Sequence, residues 1–311
     1  MSKLSVSVPT ERLERDVRAR LSPQQIESID LFVWDMTDPT PRQRIDIVVP
    51  PYMSARDALP RLADVTTRLV QSQSIGWDDV PHHLPAGHVF ANAASVHETA
   101  TAELALALTL AVQRRLPQYV HQQDAHEWRG RFANGLADCR VLLLGYGGVG
   151  KATAARLDPF EVEVVPVASS ARVEDGREVH AMSELAELLP TTDVLIVTLP
   201  DTPDTRGLID DAVLSALPDG ALVVNVGRGP IIDTDALVDH LRRERILAAL
   251  DVTEPEPLPA DHPLWSAPGV LISPHVGGAS AAMQPRIAQL VADQITRMLD
   301  GEDARNVVYS S

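Results

Sequence analysis

Lysine is nearly missing from this chain of 311 residues: Lys3 and Lys151 are its two copies, and almost all positive charge is arginine. Nothing mechanistic follows from that bias. Cysteine is scarcer still. Cys139 stands alone, so an intramolecular disulfide and a cysteine metal cluster are excluded, and no metal is expected. A reducing cytoplasm is the expected compartment. The chain has no run of 18 or more apolar residues, and its first twenty residues, MSKLSVSVPTERLERDVRAR, contain no apolar core of signal-peptide length. A soluble, unprocessed protein is expected. Basic charge is also deficient, with a formal net charge of −16. That argues against a nucleic-acid or anionic-membrane surface, because both are recognised by clustered cations. Small molecules are the expected partners.

What is present is ordinary globular material: 45% hydrophobic and 23% charged residues, in a length that suggests two domains. Short β-like runs open the chain at Leu4–Val8, Leu31–Trp34, Ile45–Val49, Arg68–Gln71 and Val89–Ala91, with candidate helices between them. Glu98 to Leu116 reads as one long helix rich in alanine and leucine, stopped by Pro117. Further strand-like runs follow at Val141–Leu144, Val162–Ala168, Val194–Thr198, Ala221–Val226, Leu247–Asp251 and Val270–Ile272. The last predicted helix covers Ser280–Leu299 and is expected to pack back on the N-terminal part. This rhythm predicts an α/β fold of doubly wound parallel sheets.

The segment VLLLGYGGVG, Val141 to Gly150, runs from an apolar strand into Gly145, Gly147 and Gly150 at the GxGxxG spacing. Such glycines let the backbone turn tightly and approach a pyrophosphate, and a helix over Lys151–Leu157 would present its N-terminus to the anion. The acid that binds the ribose hydroxyls of NAD is expected about 20 residues further on. It is missing: the position after the second strand holds Ser169 and Ser170, followed by Ala171 and Arg172. Hydroxyls and a guanidinium suit a phosphate better than a diol, so NADP(H) is the expected preference, with NAD(H) possible. The other reading makes Arg172 a solvated loop residue and gives the ribose contact to Glu174 or Asp175.

Three ionisable residues sit just beyond predicted strands: Arg228 in NVGRG, Glu256 in LDVTEPEP and His275 in SPHVGG. Strand C-termini in open α/β sheets face the ligand crevice. Reduction of a 2-keto acid needs a cation for the carboxylate, an acid for the carbonyl oxygen, and a group that keeps that acid charged. Arginine, histidine and glutamate meet those needs. Each alone is also an ordinary surface or structural residue.

The same segments, with DVLIVTLPDTPDTRGLI, LPDGALVVNVGRGPIIDTDAL, ALDVTEPEPLP and PLWSAPGVLISPHVGG, resemble the D-isomer-specific 2-hydroxyacid dehydrogenase family, of the glyoxylate/hydroxypyruvate reductase kind. SIGWDDV at Ser74–Val80 is a weaker echo of its substrate loop. The resemblance spans roughly residues 68–308. It implies two Rossmann-like domains with a cleft between them: a discontinuous substrate domain over residues 1–93 and 279–311, and a dinucleotide domain over residues 94–278. It also implies a homodimer. By position, Arg228 matches the substrate-binding arginine, His275 the acid/base and Glu256 its carboxylate partner, while Ile75 and Gly76 would hold the substrate carboxylate with backbone amides. Gly148 and Val149 would meet the pyrophosphate. Pro200, Thr205, Val226, Gly227 and Gly278 belong to the expected cofactor wall, with Arg228 and His275 beside it. Asp251 resembles the aspartate that contacts the nicotinamide carboxamide, although a turn-capping role suits it equally. Tyr52, Met53 and Trp77 could shape the substrate pocket or serve packing alone.

The implied activity is hydride transfer from NADPH or NADH to a small 2-keto acid, giving a D-2-hydroxy acid, with closure of the N-terminal domain excluding water. The chain ends soon after Val308, with no room for an added regulatory domain, which disfavours an allosteric phosphoglycerate dehydrogenase. Glu256 stands where formate dehydrogenases of the family carry glutamine, which disfavours formate. A phosphite-type dehydrogenase on the same scaffold and a catalytically silent, NAD(P)-sensing corepressor-like protein remain open.

Overall fold

Apolar runs become the strands of two sheets, each in its own compact unit: Met1–His97 with Ala279–Ser311, and Glu98–Gly278. The computed structural model describes residues 3–311. In the first unit β1 (Leu4–Val8), β2 (Ile29–Val33), β3 (Ile47–Val48), β4 (Leu69–Gln71) and β5 (Val89–Ala91) pair in parallel. The long helix Met283–Leu299 contributes Ile287, Leu290, Val291 and Ile295 to the core that Val6, Val8, Leu13 and Val17 also fill. Its apolar residues recur at helical spacing, so one face of the helix is buried.

The second unit carries β6 (Arg140–Leu144), β7 (Glu163–Ala168), β8 (Arg172–Glu174), β9 (Arg177–Ala181), β10 (Val194–Val197), β11 (Leu222–Asn225), β12 (Leu247–Leu250) and β13 (Val270–Ile272). Their order is β13-β12-β11-β10-β6-β7-β9-β8. All pairings are parallel except that of β8 with β9. Chain order reverses direction at β6, whose neighbours are β7 and β10, and that is the switch point where such sheets bind ligands. Alternation along β6 explains its continuous apolar run. Leu142 and Leu144 fill one core layer while Val141 and Leu143 fill the opposite one, as expected for a strand covered on both faces.

The structure departs from the predicted elements in three places. The helix predicted over residues 98–116 ends at Gln113. Arg115 adopts φ 58° and a second helix runs over Leu116–Asp124 with Pro117 in its first turn, where the missing N–H costs nothing. Pro117 thus starts a helix rather than stopping one. The hairpin β8–β9 follows Ser170 in a segment where no strand was predicted. Finally, the chain continues past its last helix into β14 (Val307–Ser310), antiparallel to β5 at the edge of the first sheet. Among the described residues, no helix is long and apolar enough to cross a membrane.

Candidate active site

The glycine turn has the shape a pyrophosphate requires, each glycine for a separate reason. Gly145 leaves β6 with φ +97°, a region open to few side chains. A Cβ at Gly150 would stand 2.0 Å from the Gly145 carbonyl oxygen, so that position admits no side chain. Thr198, just past β10, donates its hydroxyl to the Leu144 and Gly145 carbonyls at 3.1 and 3.0 Å and braces the turn. Gly147, by contrast, faces open space, since a Cβ there meets nothing within 4 Å. It is also the N-cap of helix Gly148–Leu157, which has no side-chain cap. Uncapped N–H groups at a helix start, with room in front of them, fit a bound phosphate. The residues present therefore suit a dinucleotide, with Gly148 and Val149 supplying the first helical amides.

At the far side of this turn, Ser169 and Ser170 follow β7 and are exposed. Arg172 lies on the edge strand β8, where its Nη2 is 2.7 Å from Glu174 Oε2 and its Nη1 donates to the Ser170 carbonyl at 3.2 Å. Arg172 is therefore a partnered, solvent-exposed residue of a strand rather than of a loop.

The ends of β11, β12 and β13, three adjacent parallel strands, carry the ionisable residues. Beyond β11, buried Asn225 accepts from Gly227 N at 3.0 Å and donates to the Arg228 carbonyl at 2.9 Å, which folds the VGR segment into a fixed loop. A Cβ at Gly227 would meet the Leu199 carbonyl at 2.6 Å and one at Gly229 the Thr253 carbonyl at 1.9 Å. Arg228 is thus flanked by two positions where only glycine fits. The adjoining loop holds Pro200 and Thr205 together, the threonine hydroxyl donating to the Pro200 carbonyl at 2.6 Å. Val226 is buried in the core layer behind Gly227.

Asp251, at the end of β12 and 2% exposed, organises the loop after β13. Its Oδ1 accepts from the Ser273 hydroxyl at 2.6 Å and Val276 N at 2.9 Å, and its Oδ2 accepts from Gly277 N at 2.8 Å. His275 N donates to the Asp251 carbonyl at 2.7 Å. These bonds hold His275 at φ 52°, a left-handed conformation that non-glycine residues adopt only where the surroundings enforce it. The result is a pair: His275 Nδ1 lies 2.5 Å from Glu256 Oε1, both side chains partly exposed. A charge-assisted contact of that length fixes the ring and turns Nε2 away from the carboxylate. Asn225 and Ser273, which aim Arg228 and His275 through backbone and carboxylate, went unread in the sequence. The available signal was a polar residue closing each apolar run.

Ile75, Gly76 and Trp77 follow β4 in the first unit, and Tyr52 and Met53 follow the neighbouring β3. Asn92 Nδ2 donates to the Ile75 carbonyl at 2.8 Å and anchors that loop. Tyr52 stacks on His97 with ring centroids 5.4 Å apart, Trp77 stacks on Tyr309 at 6.4 Å, and Met53 is exposed.

A family model for the D-isomer-specific 2-hydroxyacid dehydrogenase NAD-binding domain matches residues 106–277. The mouse glyoxylate reductase/hydroxypyruvate reductase is 30% identical over 318 aligned positions, which cover 94% of this chain and 94% of that protein. Among solved structures, a D-isomer-specific 2-hydroxyacid dehydrogenase family protein from Aeromonas salmonicida superposes with a TM-score of 0.87 at 25% identity, covering 99% of both chains. An NADPH-dependent glyoxylate/hydroxypyruvate reductase from Sinorhizobium meliloti, solved with NADP and sulfate, gives 0.80 at 27% identity, over 99% of this chain and 98% of that one. The glycine turn, the strand-end loops and these matches agree, and the chain belongs to the D-isomer-specific 2-hydroxyacid dehydrogenase family.

Proposed function

We propose that this protein reduces a small 2-keto acid of the glyoxylate or hydroxypyruvate type to the D-2-hydroxy acid, with NADP(H) preferred and NAD(H) accepted. The observation that carries the reading is the His275–Glu256 pair at 2.5 Å beyond the same sheet edge as Arg228. Bound reduced nicotinamide supplies the hydride. Arg228 binds the carboxylate and polarises the keto oxygen through its planar donor fork. His275 donates the proton from Nε2, while Glu256 takes the Nδ1–H, orients the ring and stabilises its charged form. Asp251 has three of about four carboxylate acceptor sites occupied by the loop. The remaining site can accept from a carboxamide, so its positioning role and a cofactor contact are compatible.

The 2′-phosphate preference rests on Ser169, Ser170 and Arg172, and on the NADP found in the Sinorhizobium meliloti relative. The second unit is the dinucleotide-binding part, and the loop at Ile75 and Gly76 in the first is a substrate-loop candidate. A homodimer formed through the second unit is proposed as well, supported by the fully exposed Trp128 and Phe132. An intracellular setting suits the solitary cysteine. The test is the initial rate of NADPH and NADH oxidation with glyoxylate, hydroxypyruvate, pyruvate, phenylpyruvate and a branched 2-keto acid. Turnover of at least one keto acid, faster with NADPH, is expected. Tight cofactor binding without turnover on any of them would replace this reading with phosphite oxidation or a sensing role.

A further inference from the structure

Lys151, one of two lysines in the chain, stands in the first turns of the helix that follows the glycine motif, directly after Gly150. Its ammonium reaches Glu174 Oε1 at 2.5 Å and Asp175 Oδ2 at 3.8 Å and lies 6.0 Å from the centre of the Tyr146 ring. The other carboxylate oxygen of Glu174 receives Arg172 through both Nε at 2.8 Å and Nη2 at 2.7 Å. One carboxylate therefore bridges two cations beside the exposed Ser169 and Ser170. Its proton affinity is depressed by those same contacts, first by Lys151 and then by Arg172, so the bridge stays charged at neutral pH.

The geometry points to a role for this bridge that rests on the NADP(H) reading above. We propose that Lys151 is a second ligand of the cofactor 2′-phosphate, and that Glu174 limits discrimination between phosphorylated and unphosphorylated cofactor by sharing the charge of Lys151 and Arg172. The bridge fixes the guanidinium side-on. Arginine has five N–H donors, of which Glu174 takes one on Nε and one on Nη2, and the Ser170 carbonyl takes one on Nη1. One donor on each of Nη1 and Nη2 remains for phosphate oxygens, so a phosphate can be bound without breaking the bridge. The ammonium of Lys151 is a compact charge with three donors and can turn toward the same phosphate while keeping Glu174. Electrostatically the site is held back. Lys151 and Arg172 carry two positive charges, and Glu174 and Asp175 two negative ones, so a phosphate meets directed donors in a locally neutral cluster. A ribose diol loses little by comparison. The acid that is missing after β7 is supplied instead from β8, as a counter-ion to the phosphate ligands.

Calorimetric titration with 2′,5′-ADP and with 5′-AMP separates this from the cofactor reading, because neither probe turns over. Wild type should bind 2′,5′-ADP more tightly than 5′-AMP. Glu174→Gln removes the charge and keeps an acceptor, so the ratio of the two affinities should rise about five-fold, through tighter 2′,5′-ADP binding. Lys151→Met should lower the same ratio about five-fold, through weaker 2′,5′-ADP binding. If wild type discriminates but both variants keep its ratio, this inference is wrong and the NADP(H) reading stands. If wild type does not discriminate at all, the NADP(H) reading fails and takes the inference with it.

Discussion

At the scale of single residues, charge and its placement decide function. Glu256 contacts Nδ1 of His275 at 2.5 Å, and Gln at that position keeps an oxygen acceptor while losing the charge. Glu256→Gln should therefore lower kcat of keto-acid reduction about ten-fold or more with KM little changed; an unaltered kcat would show that the charge of Glu256 is not used and that the contact only positions the ring. His88, in the first unit, is a pH-sensitive element of stability. It is buried with Nε2 facing the Leu62 carbonyl at 3.2 Å and Nδ1 facing the Thr67 hydroxyl at 2.7 Å. Burial pushes its pKa below the ordinary 6.5, with the Leu62 bond pulling the other way. The unfolded chain then binds the proton more readily than the folded one. The contribution of His88 is complete above about pH 6.5 and is lost as pH falls toward the folded value. Wild-type Tm should drop on acidification from pH 7 to 5, and His88→Gln should lack that part of the slope. An unchanged slope would place the acid sensitivity elsewhere.

At the scale of elements, the glycine turn is a unit in which one added methyl group is decisive. Gly150→Ala places Cβ against the Gly145 carbonyl, 2.0 Å away, and the helix must shift off the strand. Overpacking of this kind costs about 1–3 kcal/mol, and displacement of the helix start should weaken NADPH and NADH binding alike, at least about ten-fold. Denaturation and fluorescence titration measure the two effects; unaltered binding would mean the turn does not carry the dinucleotide. Strands buried on both faces, such as Val141–Leu144 and Val194–Val197, announce themselves as continuous apolar runs, and the predicted ends miss by a residue or two. The hairpin β8–β9 and the strand β14 do not, because edge strands carry charged or partly exposed residues such as Arg172, Glu174 and Tyr309. The break at Arg115 was equally hidden. A single left-handed residue between two good helix formers leaves no compositional mark, and Pro117 is compatible with a helix end and a helix start.

At the scale of the molecule, Arg228, Glu256 and His275 were legible as residue types beyond strand ends, while the contact between Glu256 and His275 was not. Adjacency of β11, β12 and β13 and the 2.5 Å contact between Glu256 and His275 are products of the fold. Trp128 and Phe132 are wholly exposed in a stretch without regular structure, and the proposed homodimer would bury them. Sedimentation at micromolar concentration should show a dimer, and the double substitution Trp128→Ser with Phe132→Ser should shift it to monomer; a monomeric wild type would remove the proposed homodimer. Proton delivery by the His275–Glu256 pair is read out by single-turnover NADPH oxidation with glyoxylate in wild type and His275→Ala, at saturating cofactor. The variant should be at least about 100-fold slower, the usual scale for loss of a general acid. Equal rates in the two proteins would rule that role out.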